Sequence, residues 1–286
     1  MADHGSYYVP EQSKLPLGAA LGMGTMGFGA ATWVIDGQSA TVFFVGLAIL
    51  AIVMYKWWGI VIEENMNGMV SNQLKHSYVL GMLWFIFSEV MFFAAFFGAL
   101  YYARELSLPW LAGDGSGVST NQELWPSFEN VWPSNGPANY GGDFVVMKAA
   151  GIPALNTIIL LISGLTVTWA HHGLKEGKRN QLILGLIATV LLGFIFVGFQ
   201  AYEYSHAYND LNLKMSSGIY GSTFYMLTGF HGFHVTLGAI MLTVILLRCI
   251  RGHFSNENHF GFEAVAWYWH FVDVVWLGLF VFVYWL

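Results

Sequence analysis

The chain has 286 residues, 56 % of them hydrophobic and only 10 % charged, with a mean hydropathy of +0.55 and a formal charge of -6. Soluble domains carry about 25 % charged residues, so the composition excludes an ordinary soluble domain and describes an integral membrane protein. The one cysteine, Cys249, excludes an intramolecular disulfide and a cysteine-ligated cluster, and the basic residues form no patch suited to nucleic acid.

The opening residues MADHGSYYVPEQSKLP are polar. They lack the apolar core of a cleavable signal, and 1–15 reads as a tail. A helix that crosses a membrane needs about 20 predominantly apolar residues. Seven stretches qualify, so the expected fold is all-α with seven transmembrane helices. The first runs over about 16–35 and contains GAALGMGTMGFGAA. Gly18 and Gly22 have the spacing that lets helix backbones approach closely, either against the second span or as a smooth wall for a lipid tail or partner. The second, 39–62, carries Lys56-Trp57-Trp58 near its end. Paired tryptophans beside a lysine suit the membrane–water interface; contact with a phospholipid headgroup is the other reading.

The third span, 77–104, holds Glu89, the only formal charge between Val79 and Ala103. An ionisable group at mid-bilayer costs roughly 2.5–3.5 kcal/mol on insertion scales and usually faces protein or trapped water. From about 106 to 143 the chain is polar, with GDGSG and two Trp-Pro pairs, and reads as an outer loop. The fourth span, 144–172, ends in His171-His172 beside Lys175, Lys178 and Arg179, a solvated end able to exchange protons near neutral pH. The fifth, 181–206, places Gln200, Glu203 and His206 on one face, near the outer surface, where solvation accounts for them.

The sixth span, 219–248, carries Thr228, His231 and His234 on one face. Hydrogen bonding inside the bundle, a lipid- or proton-related role, and metal ligation are all open, the last requiring further ligands at matching depth. The seventh, 262–286, carries Glu263, Trp267, His270 and Asp273 as one stripe. Lipid cannot satisfy such a stripe, so it faces another helix or subunit, or lines a proton path.

With the N-terminus inside, eight of the eleven Lys and Arg residues fall in inner segments, as the positive-inside rule requires. The histidines do not stand at equal depth on facing helices as a bis-histidine haem needs, and neither a HEXXH-type motif nor a Gly-rich phosphate loop occurs. The chain is therefore read as holding no haem, metal or catalytic residue of its own.

LNTIILLISGLTVTWAHHGLKEG, QAYEY, GIYGSTFYMLTGFHGFHV, HFGFEAVAWYWHFVDVVWL and FIFSEVMFF around Glu89 resemble subunit III of cytochrome c oxidase, from about residue 50 to the end. The resemblance implies an accessory role in a proton-pumping respiratory oxidase. The haems and copper would lie in partner subunits I and II, which reduce oxygen to water, and cytochrome c would be met only through subunit II. It implies a V-shaped cleft between helices I–II (16–66) and a bundle III–VII (67–286), holding phospholipid and supporting proton uptake and turnover stability of subunit I. Glu89 matches the family's buried carboxyl, Trp57 and Trp58 its tryptophan pair, and Arg248 an arginine near a lipid headgroup.

The chain departs from better-known members after the tryptophan pair. GIVIEENMNGM offers Gly59, Glu63 and Glu64 where arginines and a histidine help bind the phosphate. Either Lys75, His76 and Arg248 take over the headgroup or the lipid is held less tightly. A quinol-oxidase or nitric-oxide-reducing relative is a further reading; those relatives often lack the first two helices, which are present here. A free-standing transporter or proton channel using Glu89, His231 and His270 as a relay is another, against which neither inverted repeats nor paired broken helices are seen. The expected location is a bacterial inner membrane, or a mitochondrial one if organellar, with the N-terminus cytoplasmic and the C-terminus periplasmic.

Overall fold

The computed structural model describes residues 12–69 and 71–286; most of the tail read over 1–15 lies outside the described residues. Seven helices are long and apolar enough to cross a membrane, and no strand occurs among the described residues. They are α1 Leu15–Asp36, α2 Thr41–Met66, α3 Asn72–Tyr102, α4 Ile152–Lys175, α5 Arg179–Asn209, α6 Gly218–Ile250 and α7 Phe260–Leu279. The fold is therefore the all-α, seven-span class expected.

The end of the third span and the start of the fourth differ most from the sequence expectation. The third span does not stop at Arg104. It passes through a wide π turn at Ala103–Ser107 and stays helical to Leu111. Pro109 follows that turn, where its missing N–H and fixed φ are tolerated. The polar loop also forms a short helix, Val118–Leu124. The fourth span starts at Ile152 rather than Phe144. Gly151 has φ 146°, which L side chains rarely adopt, and Pro153 occupies the first turn. The preceding segment is not helical, and Val145 N–H donates to the Leu211 carbonyl at 2.9 Å.

The chain divides into two compact units between Tyr78 and Val79. In the first, α1 and α2 meet through glycine. Gly22 brings α1 so close to α2 that a Cβ there would lie 3.0 Å from Leu50 N. At Gly29 and Gly46 there is no room for a Cβ at all, because the Phe43 and Met26 backbones occupy its place. Gly37, in the left-handed region, closes α1.

The second unit is organised around α7. The buried positions of α4 include Asn156, Leu160, Ser163, Val167, Ala170 and Leu174, the spacing of one helical face. Trp269 of α7 is fully buried. Its indole lies between the backbones of Gly193 on α5 and Gly238 on α6, and its Nε1–H donates to Ser163 Oγ of α4 at 2.9 Å. One side chain thus touches three neighbouring helices. Trp269→Phe is expected to cost about 1–2 kcal/mol, from lost ring volume and the Ser163 bond, read as a lower unfolding temperature in detergent. Between α4 and α5 the chain turns in the exposed Glu176–Lys178 segment. Lys178 Nζ hydrogen-bonds the Glu176 carboxylate at 2.7 Å and holds that carboxyl below its ordinary range.

Candidate functional site

Glu89 sits near the middle of α3, and its side chain is 22 % exposed in the isolated chain. Its Oε2 lies 2.8 Å from Nε2 of His234 on α6. The other ring nitrogen of His234, Nδ1, lies 2.6 Å from the Phe230 carbonyl oxygen. A carbonyl can only accept, so Nδ1 carries a proton and donates it. The Nε2···Oε2 contact must then hold a second proton, either on the carboxyl facing a neutral ring or on the ring facing a carboxylate. In both states the pair is neutral overall, which removes the cost of a lone charge inside the span.

Aromatic rings enclose this pair. Phe93 meets the His234 ring edge-on at 5.0 Å, Phe92 lies at 5.9 Å, and Tyr268 stacks at 6.4 Å. Tyr268 also donates its hydroxyl to the His234 carbonyl at 3.4 Å. These contacts hold the imidazole in place and screen it from the rest of the bundle. The sequence singles out Glu89 and His234 separately. That they form one unit is a structural finding.

The other polar residues have partners of their own. His231 is fully buried, donates Nε2–H to the Val272 carbonyl at 3.2 Å, and packs between Phe196 and Trp276. His231 and His234 therefore share a helix but not a site. His270 lies 3.4 Å from Asp273 and 3.2 Å from the Thr168 hydroxyl. Glu203 is fully buried, not solvated as its place near the end of the fifth span suggested, and accepts the Tyr284 hydroxyl at 2.6 Å. Glu263 does not join His270 and Asp273. It stands at the start of α7 against His171 of α4 and His259, each 3.3 Å away. His259 escaped the sequence reading; its spacing of four from Glu263 at a helix start was the available signal.

Of the candidate lipid contacts, Trp57 is half-buried and Trp58 exposed on α2, and Lys75 and His76 are exposed at the start of α3. Arg248, in the last turn of α6, lays its guanidinium 4.3 Å above the Phe254 ring, and its Nε is buried with no hydrogen-bond partner. A groove of about 490 Å³ opens elsewhere in the same unit, between α3 and the end of α7, lined by Phe97, Leu100, Tyr101, Phe282 and Arg104.

The sequence matches the family described as cytochrome c oxidase subunit III over residues 5–113 and 124–286. The chain belongs to this family. It is 42 % identical to cytochrome c oxidase subunit 3 of Carassius auratus over 281 residues, covering 98 % of this chain and 97 % of the relative. It is 42 % identical to that of Formosania lacustris and 41 % identical to that of Gadus morhua, with the same coverage. The stretch left unmatched, 114–123, lies in the polar segment that follows the third span. As a subunit III, the chain is an integral membrane component of an oxidoreductase complex and is assembled with other oxidase subunits.

Proposed function

We propose that this subunit III is a non-redox, phospholipid-bearing subunit of a proton-pumping oxidase, and that its Glu89–His234 pair supports proton uptake by subunit I and prolongs turnover. The haems and copper would reside in subunits I and II, with cytochrome c reached through subunit II. The observation that carries this reading is the 2.8 Å contact between Glu89 Oε2 and His234 Nε2, with His234 Nδ1 tied to the Phe230 carbonyl. A carboxyl and an imidazole so held can accept a proton from one side, give one up on the other and return to the same neutral state, which suits a relay beside another subunit's proton path. The N-terminus faces the inner side in this reading, in accord with the distribution of Lys and Arg.

A relay through Glu89, His231 and His270 has less support, since His231 is turned to Val272 and His270 to Thr168 and Asp273. The test is the assembled oxidase carrying Glu89→Gln, assayed for proton uptake and for turnovers completed before inactivation.

The lipid part of the proposal rests on Arg248, a half-buried cation in the last turn of α6 whose guanidinium suits a phosphate group. Arg248→Leu is expected to remove one anionic phospholipid per complex, counted by mass spectrometry of lipid extracted from the purified oxidase. Arg248→Lys is expected to keep it with weaker retention. Equal phospholipid content in the wild type and Arg248→Leu would remove Arg248 from the proposal.

A further inference from the structure

At the end of α5 that the proposed orientation places outside, Glu203 is fully buried. Its Oε1 accepts the Tyr284 hydroxyl at 2.6 Å, and its Oε2 is buried with no hydrogen-bond partner. Three positions on, the His206 side chain is 39 % exposed in the isolated chain, and its Nδ1 lies 2.7 Å from Oδ2 of the exposed Asp210. We infer that Glu203 is held as the neutral acid and forms a proton-storage site that exchanges with the surface at this end of the bundle through His206.

Three features carry this. First, the hydroxyl protons around the carboxyl are already committed. The Tyr284 proton goes to Oε1. Thr228 donates to the Phe224 carbonyl at 2.6 Å, so Tyr204 donates to Thr228 Oγ1 at 2.7 Å. Tyr225 donates to the Leu213 carbonyl at 2.6 Å, and Tyr220 to the Val283 carbonyl at 3.5 Å. None of them has a proton left for Oε2. Second, a counter-charge is lacking. Among the described residues, the ionisable side chains that interact with Glu203 are Tyr204 and His206 of α5, Tyr220 and Tyr225 of α6, and Tyr284 beyond α7, and His206 is the one base in that set. An ionised Glu203 would be a buried charge with a single neutral hydrogen bond, an arrangement that burial penalises heavily. With a proton on Oε2 the group is neutral and becomes a donor. A buried donor is normally satisfied, and one water between it and the next turn of α5 would satisfy it. Third, the His206 tautomer is set for exchange. The Asp210 carboxylate can only accept, so Nδ1–H donates to it, and Nε2 is left to take up a proton and hand it on. The i, i+3 spacing puts Glu203 and His206 on one face of α5, with His206 one turn nearer solvent.

The proton is accounted for at each step. On release, Glu203 Oε2–H gives its proton through the bridging water to His206 Nε2. The imidazolium so formed is paired with Asp210, and it passes that proton to surface water. The carboxylate left behind keeps the Tyr284 bond and takes a proton back by the reverse route. Tyr284 is a positioning residue. It lies in the wide π turn Phe280–Trp285 that continues α7, and its ring is held by Phe224, edge-on at 5.5 Å, and by Trp276 at 5.9 Å. By occupying Oε1 it makes Oε2 the oxygen that exchanges. The site shares no residue with the Glu89–His234 pair and does not rest on the role proposed for that pair.

The experiment uses the intact purified oxidase and follows its protonated-carboxyl C=O bands by infrared spectroscopy as H₂O is exchanged for D₂O. Glu203→Gln is expected to lose one such band, different from any band lost in Glu89→Gln. Tyr284→Phe is expected to keep the band and move it to higher frequency, because the carbonyl oxygen loses its hydrogen bond. His206→Ala, a change at a partly exposed side chain, is expected to leave the band in place and slow its deuterium shift severalfold. That arm leaves the buried carboxyl untouched, so it reads the exchange route even where Glu203→Gln does not assemble. The absence of any protonated-carboxyl band that responds to Glu203→Gln or Tyr284→Phe would overturn the neutral acid. Equal exchange rates in wild type and His206→Ala would overturn the route through His206.

Discussion

Glu89→Gln is expected to leave the bundle intact while reducing proton uptake and catalytic lifetime of the assembled oxidase severalfold. The two effects separate because of the His234 tautomer. With Nδ1–H given to Phe230, a neutral His234 offers Nε2 as an acceptor, and the glutamine amide can donate to it in place of the acid. The hydrogen bond survives, but the exchangeable proton between the two side chains is gone. Glu89→Leu removes both. It leaves Nε2 unsatisfied in a ring-lined pocket, which costs about 1–3 kcal/mol and should also lower the unfolding temperature. His234→Ala exposes the opposite fault, a carboxyl facing apolar rings. Proton uptake and turnover numbers, measured beside thermal unfolding, resolve the series. If Glu89→Gln matches the wild type in both activities while Glu89→Leu unfolds earlier, the pair has a packing role only.

The same pair shows which features a sequence can display. Glu89 stands out because a lone carboxylate in an apolar span has a known cost, and the seven spans follow from length and hydropathy. His234 is also visible as a polar residue within a helix. Its partnership with Glu89 joins residues 145 positions apart, and helical periodicity says nothing about which helix a face will meet. Glu203 shows the converse. Its position near a predicted span end suggested solvation, yet α5 continues to Asn209 and the Tyr284 hydroxyl covers the carboxyl. The start of α4 was legible in principle, since Gly151 and Pro153 are ordinary punctuation for a helix start; the apolar run FVVM ahead of them masked it. His259 was obscured for a different reason, because it belongs to a polar turn and gains its neighbour His171 only through the α4–α7 packing.

Gly46→Val and Gly29→Val should be among the most disruptive single changes in the first unit, each costing about 3 kcal/mol or more. Overpacking usually costs about 1–3 kcal/mol because side chains can shift to relieve it. Here the obstructing atoms are backbone atoms of Met26 and Phe43, which cannot rotate away, so the helices themselves must separate. In a membrane, helix association depends on close packing and not on expulsion of water, and separation by even a small distance forfeits contacts along the whole seam. Gly24→Val is the matched control, since a Cβ there meets nothing within 4 Å; it carries the same change in helix propensity without the clash. The measurement is the share of complexes that keep α1 and α2 paired, read from the yield of a cysteine crosslink engineered across the seam. Equal yields for Gly46→Val and Gly24→Val would show that the seam tolerates separation. A large loss confined to Gly46→Val and Gly29→Val would show that these glycines hold α2, and with it Trp57 and Trp58, in position against α1.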